Sequence, residues 1–251
     1  MLGLERRQKI MECLKQNNKV YVNELSKLFQ VTEETIRRDL EKLENEGLLY
    51  RSHGGAVLKD PIIEDLSFSK RSVENSPAKQ IIADKAKLLI NDGDTIMVDS
   101  STTAQALIHL LVNKKNITII TNSIKLLNDF ADTDFTMIST GGDLRSHSFA
   151  QVGTAACKAL SRYYVDFAII SCKGIDREKG IMESNEAESD IKQQMVRQVR
   201  STLLLVDHSK FDKISFIKTL DFTDVDYIVT DQKPDIGWIN FLKKHNIKLI
   251  Y

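Results

Sequence analysis

The stretch "TIRRDLEKLENEGLLYRSHGG", residues 35–55, decides how the first part of the chain folds. Ile36, Leu40 and Leu43 recur at the spacing of one helical face, and Gly47 is a residue type that commonly ends helices. The short apolar runs "LLY" and "GAVL" then flank "RSHG", a pattern typical of a two-stranded hairpin. The stretch therefore predicts one amphipathic helix followed by a small hairpin.

The two adjacent arginines lie away from the apolar face of this helix. At about 100° per residue, Arg38 is nearly opposite that face and Arg37 projects sideways, while Thr35 lies on the other flank. A DNA-recognition helix has this polarity, because its first turns enter the major groove. For an isolated helix, the commoner explanation is a solvated surface with ion pairs from Glu33 to Arg37 and from Glu34 to Arg38. The helix alone leaves both interpretations open.

The preceding residues favour the DNA-binding interpretation. Two amphipathic segments, "LERRQKIMECLKQ" and "VNELSKLF", come before the helix, and the turn "QVT" leads into it with Thr32 as a favourable N-cap. This order is that of a helix–turn–helix followed by a wing. Charge alone would not identify such a domain, because the local excess of basic residues is small.

Composition indicates an ordinary globular protein. The chain has 251 residues, 35 of them basic and 35 acidic, with 42% hydrophobic and 28% charged residues. Its apolar runs fall far short of the roughly 20 residues of a membrane span, and the N-terminus lacks the apolar segment of a secretory signal. We therefore expect a cytoplasmic protein with no membrane partner. The three cysteines form no CxxC motif, so we expect core thiols and no metal site.

The hydrophobic pattern changes after residue 93. Short β-branched runs alternate with helical stretches; the runs are "TIMVD", "ITIIT", "FTMIST", "FAIIS", "TLLLVD", "YIVTD" and "IKLIY". This alternation predicts an α/β domain with a mainly parallel sheet. A helix is expected just before it, with Ser76 as its cap and Pro77 at its first position. The predicted organisation is a DNA-binding domain at residues 1–58, a connector at 59–76 and the α/β domain at 77–251.

Small polar residues follow five of the predicted strands. These loops are Ser100–Thr103, Asn122–Ser123, Gly141–Asp143, Cys172–Asp176 and His208–Lys210. Ligands of parallel sheets bind outside the carboxyl ends of the strands, and hydroxyls at a helix N-terminus with a nearby lysine suit an anion. Any one loop could be an ordinary cap or turn, but five at one sheet edge predict an anion site.

Two sets of motifs resemble a known family. The segment "NELSKLFQVTEETIRRDLEKLENEGLLYRSHGGA", residues 23–56, resembles the winged helix–turn–helix of DeoR-type bacterial transcription repressors. The motifs "DSSTT", "TNS", "TGGDLR", "GID", "NEAE" and "DHSKF" resemble the effector domain of that family, which is similar to ribose-5-phosphate isomerase and glucosamine-6-phosphate deaminase. The expected fold is thus a winged helix–turn–helix joined to a ribose-5-phosphate-isomerase-like α/β domain.

The resemblance implies roles for individual residues. DNA contacts are expected from Thr32, Thr35, Arg37, Arg38, Arg51 and His53. The phosphate of a sugar effector is expected at Ser100, Ser101, Thr102, Thr103 and Lys210, and its sugar at Gly141, Gly142, Asp176 and Glu186. One departure is Ser101, because the family usually has a glycine there, which lets the backbone approach a phosphate closely.

The leading hypothesis is a repressor of a sugar-catabolic operon that a phosphorylated sugar releases from operator DNA. It implies no cofactor, metal or catalytic residue, and at least a homodimer, because helix–turn–helix proteins commonly pair on palindromic sites. The alternative is a sugar-phosphate isomerase with a DNA-binding appendage, in which Glu186 could be the base. The glycine-rich, lysine-containing loop of such isomerases is not evident near "REKGIMESNEAES". A third hypothesis, a protein-binding scaffold, predicts no anion pocket.

Overall fold

The computed structural model describes residues 3–17, 19–46, 48–52, 54–58 and 65–251. The chain divides into two units, Met1–Glu64 and Asp65–Tyr251. This division falls inside the segment predicted as a connector, residues 59–76, and the later part of that segment is folded into the second unit. Among the described residues, no helix is long and apolar enough to cross a bilayer.

The first unit is a winged helix–turn–helix. Its elements are α1 (Gly3–Asn17), β1 (Lys19–Tyr21), α2 (Val22–Phe29), α3 (Glu33–Asn45), β2 (Leu49–Ser52) and β3 (Gly55–Leu58). The strands form an antiparallel sheet in the order β1-β3-β2. The predicted hairpin is β2–β3, and β1 is a third strand that the sequence pattern did not predict. Gly55 permits this third strand, because a Cβ there would lie 1.9 Å from the carbonyl oxygen of Val20.

The predicted apolar face of α3 is the centre of the first core. Ile36, Leu40 and Leu43 are buried, as expected from their spacing, and they pack in one cluster with Ile10 and Leu14 of α1. α3 ends at Asn45. The predicted helix stop, Gly47, lies outside the described residues.

A buried ion pair fixes α3 against α1. The Nε atom of Arg6 lies 2.5 Å from Asp39 Oδ2, and Arg7 Nη1 lies 3.5 Å from Asp39 Oδ1. Both Arg6 and Asp39 are buried, so loss of either partner would leave an uncompensated charge at a cost of about 3–5 kcal/mol. Because Asp39 directly follows Arg37 and Arg38, this pair also sets the direction in which the two arginines project.

The second unit is an α/β domain. Its helices are α4 (Phe68–Val73), α5 (Ser76–Ala86), α6 (Thr102–His109), α7 (Ile124–Asp129), α8 (Gly153–Leu160), α9 (Glu186–Val196) and α10 (Ile236–Lys244). Its strands are β4 (Thr95–Val98), β5 (Thr118–Thr121), β6 (Thr136–Ser139), β7 (Asp143–Arg145), β8 (Ala150–Val152), β9 (Val165–Ser171), β10 (Gly174–Asp176), β11 (Gly180–Glu183), β12 (Val199–Leu205), β13 (Ile217–Leu220), β14 (Tyr227–Val229) and β15 (Lys248–Ile250).

The prediction of a parallel sheet is confirmed. Seven strands pair in the order β15-β14-β12-β9-β4-β5-β6, and every pairing is parallel. These strands coincide with the seven β-branched runs of the sequence. Two antiparallel pieces, β7–β8 and β10-β11-β13, were not predicted. Their strands, such as "DLR" and "AQV", lack the β-branched apolar runs that mark the seven parallel strands.

Helices cover both faces of the parallel sheet. On the central strand β9, Ile169 belongs to one apolar cluster, whereas Ala168 and Ile170 belong to the other. The first cluster includes Leu107 of α6, and the second includes Ile191 of α9. Because helices cover both faces of the sheet, a ligand can reach it only at an edge. In parallel sheets ligands usually bind at the carboxyl edge.

The start of α5 differs by one residue from the prediction. The helix begins at Ser76, and the residue before it is Asn75, which has a left-handed φ of 50°. The Asn75 side chain does not cap the helix. Its Nδ2 atom lies 3.2 Å from Asp207 Oδ1 and from Ser209 Oγ. Asparagine tolerates the left-handed region better than most residues, which explains the shift.

We predict that Leu40→Ala destabilises the first unit by about 2–5 kcal/mol, because it deletes a buried leucine without refilling the space. The matched control is Leu28→Ala, since Leu28 lies on the neighbouring helix and is 63% exposed. Hydrogen exchange of the α3 amides in increasing urea gives the local stability of the full-length protein. Equal effects of the two substitutions would contradict the assigned core.

Candidate functional site

The N-terminus of α3 is capped as the sequence predicted. Thr32 Oγ1 accepts a hydrogen bond from the Thr35 backbone N–H at 3.3 Å, and the two hydroxyl oxygens lie 2.8 Å apart. Thr32 is exposed and Thr35 is partly exposed. The cap therefore presents two hydroxyl groups at the end of the helix from which the arginines project.

The ion pairs of the solvated-helix interpretation are formed. Arg37 Nη2 lies 2.9 Å from Glu33 Oε2, and Arg38 Nε lies 3.3 Å from Glu34 Oε1. The arginine side chains nevertheless remain 57% and 74% exposed. Exposed pairs of this kind contribute about 1 kcal/mol or less, so a phosphate or a base edge can displace either glutamate. The helix can thus form these surface ion pairs and still use the same arginines to bind DNA.

The wing strand β2 is tied to α3 by a third pair. Glu44 Oε2 lies 2.6 Å from Arg51 Nε, and Glu44 Oε1 accepts from the Arg51 backbone N–H at 3.1 Å. The pKa of the Glu44 carboxyl is lowered, first by that N–H group and then by the guanidinium. This contact holds Arg51 beside the recognition helix. His53, the other predicted wing residue, lies outside the described residues.

A pocket opens at the carboxyl ends of β4, β9 and β12. It encloses about 650 Å³, including space open to solvent. Four of the five predicted phosphate residues line it: Ser101, Thr102, Thr103 and Lys210. The fifth, Ser100, is buried beside them. The structure thus brings together residues that come from two separate loops of the sequence.

Ser101 has a structural task that a glycine could not perform. Its Oγ atom accepts a hydrogen bond from the Ala104 backbone N–H at 3.2 Å and so caps α6. Thr102 and Thr103 begin the helix, and their backbone N–H groups have no partner within it. The pocket is therefore lined by a capped helix N-terminus, which favours negative charge.

A buried lysine holds the floor of the pocket together. Lys192 Nζ donates to the Ser171 carbonyl at 2.7 Å, lies 3.2 Å from Asp99 Oδ2 and contacts the Glu183 carboxylate. Burial alone would lower the pKa of Lys192, but three nearby carboxylates outweigh burial and raise it. The ammonium therefore stays charged. Asp99 in turn accepts from the backbone N–H groups of Ser101 and Ser171, each at 3.0 Å.

A second lysine, Lys79, lies at the side of the pocket next to α4. Its Nζ atom donates to the carbonyl oxygens of Arg71 and Glu74. Burial lowers the pKa of Lys79. Asp207 caps the short 3₁₀ turn at residues 208–210 and thereby positions Lys210. The sequence analysis did not identify Lys79 or Asp207 as site residues.

Sequence reasoning missed most of the charged lining. The strand-end position of Asp99 was a usable signal, because it directly precedes the predicted phosphate loop. Lys192 offered no such signal, since its partners come from distant strands. Within the described ranges, no group of three or more His, Cys, Asp or Glu side chains is placed to hold a metal ion.

The four predicted sugar residues are placed elsewhere in the described second unit, outside the pocket lining. Gly141 donates its backbone N–H to Gln151 Oε1, and Gly142 packs closely against β8 and α8. Asp176 Oδ1 accepts from two backbone N–H groups of the β10–β11 turn, at 3.0 and 2.8 Å. Glu186 begins α9, whereas Glu188, two residues later, lines the pocket. The proposed sugar contacts of these four residues remain predictions.

The two units together define a class of protein: transcription regulators that join a DNA-binding domain to a sensor domain. Residues 6–61 match the DeoR-like helix-turn-helix domain, and residues 74–232 match the DeoR C terminal sensor domain. The chain belongs to the DeoR family of transcription regulators.

Relatives match along nearly the whole chain. An uncharacterized HTH-type transcriptional regulator of Bacillus subtilis (strain 168), YulB, is 38% identical over 99% of this chain and 96% of its own length. The glycerol-3-phosphate regulon repressor of Escherichia coli (strain K12) is 33% identical over 99% of both chains. Among solved structures, ribose 5-phosphate isomerase A of Methanocaldococcus jannaschii aligns with a TM-score of 0.41 and 17% identity over 55% of each chain.

We predict that Arg38→Ala weakens DNA binding by about 1–3 kcal/mol and relaxes sequence preference if Arg38 contacts a guanine edge. If it contacts a phosphate, affinity falls for all sequences and the salt dependence decreases. The measurement is fluorescence anisotropy against salt, with a random duplex and with a duplex selected from a random pool by the wild-type protein. Lys243→Ala removes the same charge from α10 and is the control. Unchanged affinity in both Arg37→Ala and Arg38→Ala would contradict the assignment of α3 as the recognition helix.

Proposed function

We propose that this regulator binds a phosphorylated sugar in the pocket of its second unit, and that binding releases it from the operator of a sugar-catabolic operon. The observation that carries the proposal is the convergence of a helix N-terminus and Lys210 on one pocket. The glycerol-3-phosphate regulon repressor, a relative over nearly its full length, is named for a phosphorylated polyol. Its name supports a phosphorylated effector for this chain as well.

The phosphate is proposed to lie at the start of α6. The hydroxyls of Thr102 and Thr103 and the backbone N–H groups of the first turn donate to its oxygens. Lys210 contributes a positive charge from the turn that follows β12. Ser101 supports this site indirectly, because its side chain is used to cap the helix. Ser100 is proposed to act through packing, since it is buried.

The sugar hydroxyls are proposed to face the acidic side of the pocket. Asp65 and Glu188 line this side, and carboxylate oxygens accept hydrogen bonds from hydroxyls. Arg145 contacts both carboxylates, with a distance of 2.9 Å from Nη1 to Glu188 Oε1. The guanidinium therefore offsets one of the two negative charges before a neutral sugar ring arrives. In this proposal Glu188 takes the role that the family resemblance implied for Glu186.

The DNA contacts are proposed to come from α3 and the wing. Thr32, Thr35, Arg37 and Arg38 supply the recognition helix, and Arg51 and His53 the wing. A homodimer or a higher oligomer is proposed to place two such helices on a palindromic operator. The effector acts by binding better to the arrangement that cannot bind DNA.

We propose that the pocket performs no catalysis. Proton transfer between adjacent sugar carbons needs a free, positioned carboxylate base. Glu183 is paired with Lys192, and Asp65 and Glu188 share Arg145. Asp207 accepts from Asn75 and Ser209. These pairings support a binding pocket over an active site.

We predict that Lys210→Ala still binds DNA but needs a much higher concentration of sugar phosphate for release. The lost charge-assisted contact is worth about 1.5–3 kcal/mol, so the effector concentration for half release should rise by roughly 10- to 100-fold. Thr103→Val should have a smaller effect, because it removes a neutral donor. The assay is release of the selected duplex by ribose 5-phosphate, glucose 6-phosphate and glycerol 3-phosphate. The control, Lys233→Ala, removes an exposed lysine from another loop.

A wild-type response from Lys210→Ala, or release by unphosphorylated sugars alone, would contradict the proposed phosphate site.

We also predict that the purified protein does not convert ribose 5-phosphate into a ketose. Product formation is followed by nuclear magnetic resonance over several hours, with a ribose 5-phosphate isomerase as the positive control. Conversion above the uncatalysed rate that disappears in Glu186→Gln would favour the enzyme alternative.

A further inference from the structure

One segment of the pocket wall lies outside both matched domains. The helix–turn–helix match ends at residue 61 and the sensor match begins at residue 74. Asp65, Leu66 and Arg71 nevertheless line the effector pocket. We call residues 65–74, the first residues of the second unit, the leading segment; only its last residue, Glu74, falls within the sensor match.

The first end of the leading segment is held by side chains of the sensor unit. The Arg145 guanidinium contacts the Asp65 carboxylate, and Ser184 Oγ donates to Asp65 Oδ1 at 3.3 Å. His147 Nε2 lies 2.6 Å from the Asp65 carbonyl oxygen. The Arg145 and Asp65 side chains are only 18% and 27% exposed, so solvent screens this pair less than it screens a surface pair.

The middle of the leading segment is held by an aromatic contact. Phe68 is buried, and its ring meets that of Phe149 edge to face, with centroids 5.8 Å apart. The Phe68 backbone N–H donates to the His147 carbonyl at 2.9 Å. Phe68 itself is not part of the pocket lining. It anchors α4 from behind the pocket.

The second end of the segment is held by groups that also face the proposed phosphate. Thr102 Oγ1 donates to the Arg71 carbonyl at 3.3 Å, and Lys79 Nζ donates to the carbonyls of Arg71 and Glu74. Lys79 is buried, and these partners are neutral oxygens. Burial lowers its pKa, and Asp207 and Lys210 are close enough to shift the pKa in opposite directions. Within the described ranges, the Lys79 ammonium thus lies near Lys210 and has no directly bonded counter-charge.

We propose that Lys79 is a further phosphate ligand and that the leading segment is the part of the pocket that reports its occupancy. This inference rests on the proposed function. A phosphate at the start of α6 offers Lys79 and Thr102 charged acceptors in place of the carbonyls of Arg71 and Glu74. The end of α4 loses those hydrogen bonds and rearranges. The bound and empty pockets thus differ in the segment that continues toward the DNA-binding unit, as allosteric coupling requires.

The first test is hydrogen exchange of the full-length protein with and without ribose 5-phosphate, glucose 6-phosphate and glycerol 3-phosphate. We expect slower exchange at residues 101–105 and altered exchange at residues 68–75 with the same sugar phosphate. A change at residues 101–105 alone overturns the inference and leaves the proposed function intact. No change at either place with any of the three overturns both.

The second test uses Phe68 as a positioning residue. Phe68→Ala loosens α4 without altering the pocket lining, so we expect the sugar phosphate to lower DNA affinity about tenfold less than in wild type. Phe68→Leu should restore the response. The matched control is Phe216→Ala, because Phe216 is 57% exposed. Calorimetric titration with the sugar phosphate separates loss of binding from loss of response. A wild-type response in Phe68→Ala would overturn the inference.

Discussion

The buried ammonium of Lys192 is the interaction on which the pocket of the second unit depends. It reaches the end of β9 through the Ser171 carbonyl, the end of β4 through Asp99, and β11 through Glu183. Asp99 in turn accepts a hydrogen bond from the backbone N–H of Ser101 and so fixes the start of α6. Removing one member of such a network leaves a buried charge unpaired, at a cost of about 3–5 kcal/mol. The loop that lines the pocket is therefore built on charges and not only on apolar packing.

In the DNA-binding unit, too, acidic side chains hold structural elements in place by pairing with basic ones. Asp39 binds Arg6 and fixes the rotation of α3, and Glu44 holds the wing arginine. Glu33 and Glu34 pair with the exposed arginines in the absence of DNA. A recognition helix with several acids is thus consistent with a chain of no net charge.

The pocket combines a rigid part and a part that is easier to move. The strand ends belong to a sheet covered on both faces, whereas α4 is a six-residue helix at the edge of the unit. Short elements with few buried contacts open most readily. Phe68 and Asp65 hold this helix at one side, and the hydrogen bonds of Lys79 hold it at the other. A ligand can change the hydrogen bonds of Lys79 without disturbing the sheet.

The sequence by itself determined the recognition helix and its cap, the wing hairpin and all seven parallel strands, because each depends on a local period or a local hydrogen bond. It also predicted that the Ser100–Thr103 loop lies at a site on the carboxyl edge, and this loop does lie at the pocket, since parallel strands bring their carboxyl ends to one edge. Only the tertiary structure decided that β1 completes the wing sheet, that Glu188 and not Glu186 lines the pocket, and that Lys192, Lys79 and Asp65 surround it. These features depend on contacts between residues far apart in the chain, and no local period encodes which distant charges meet.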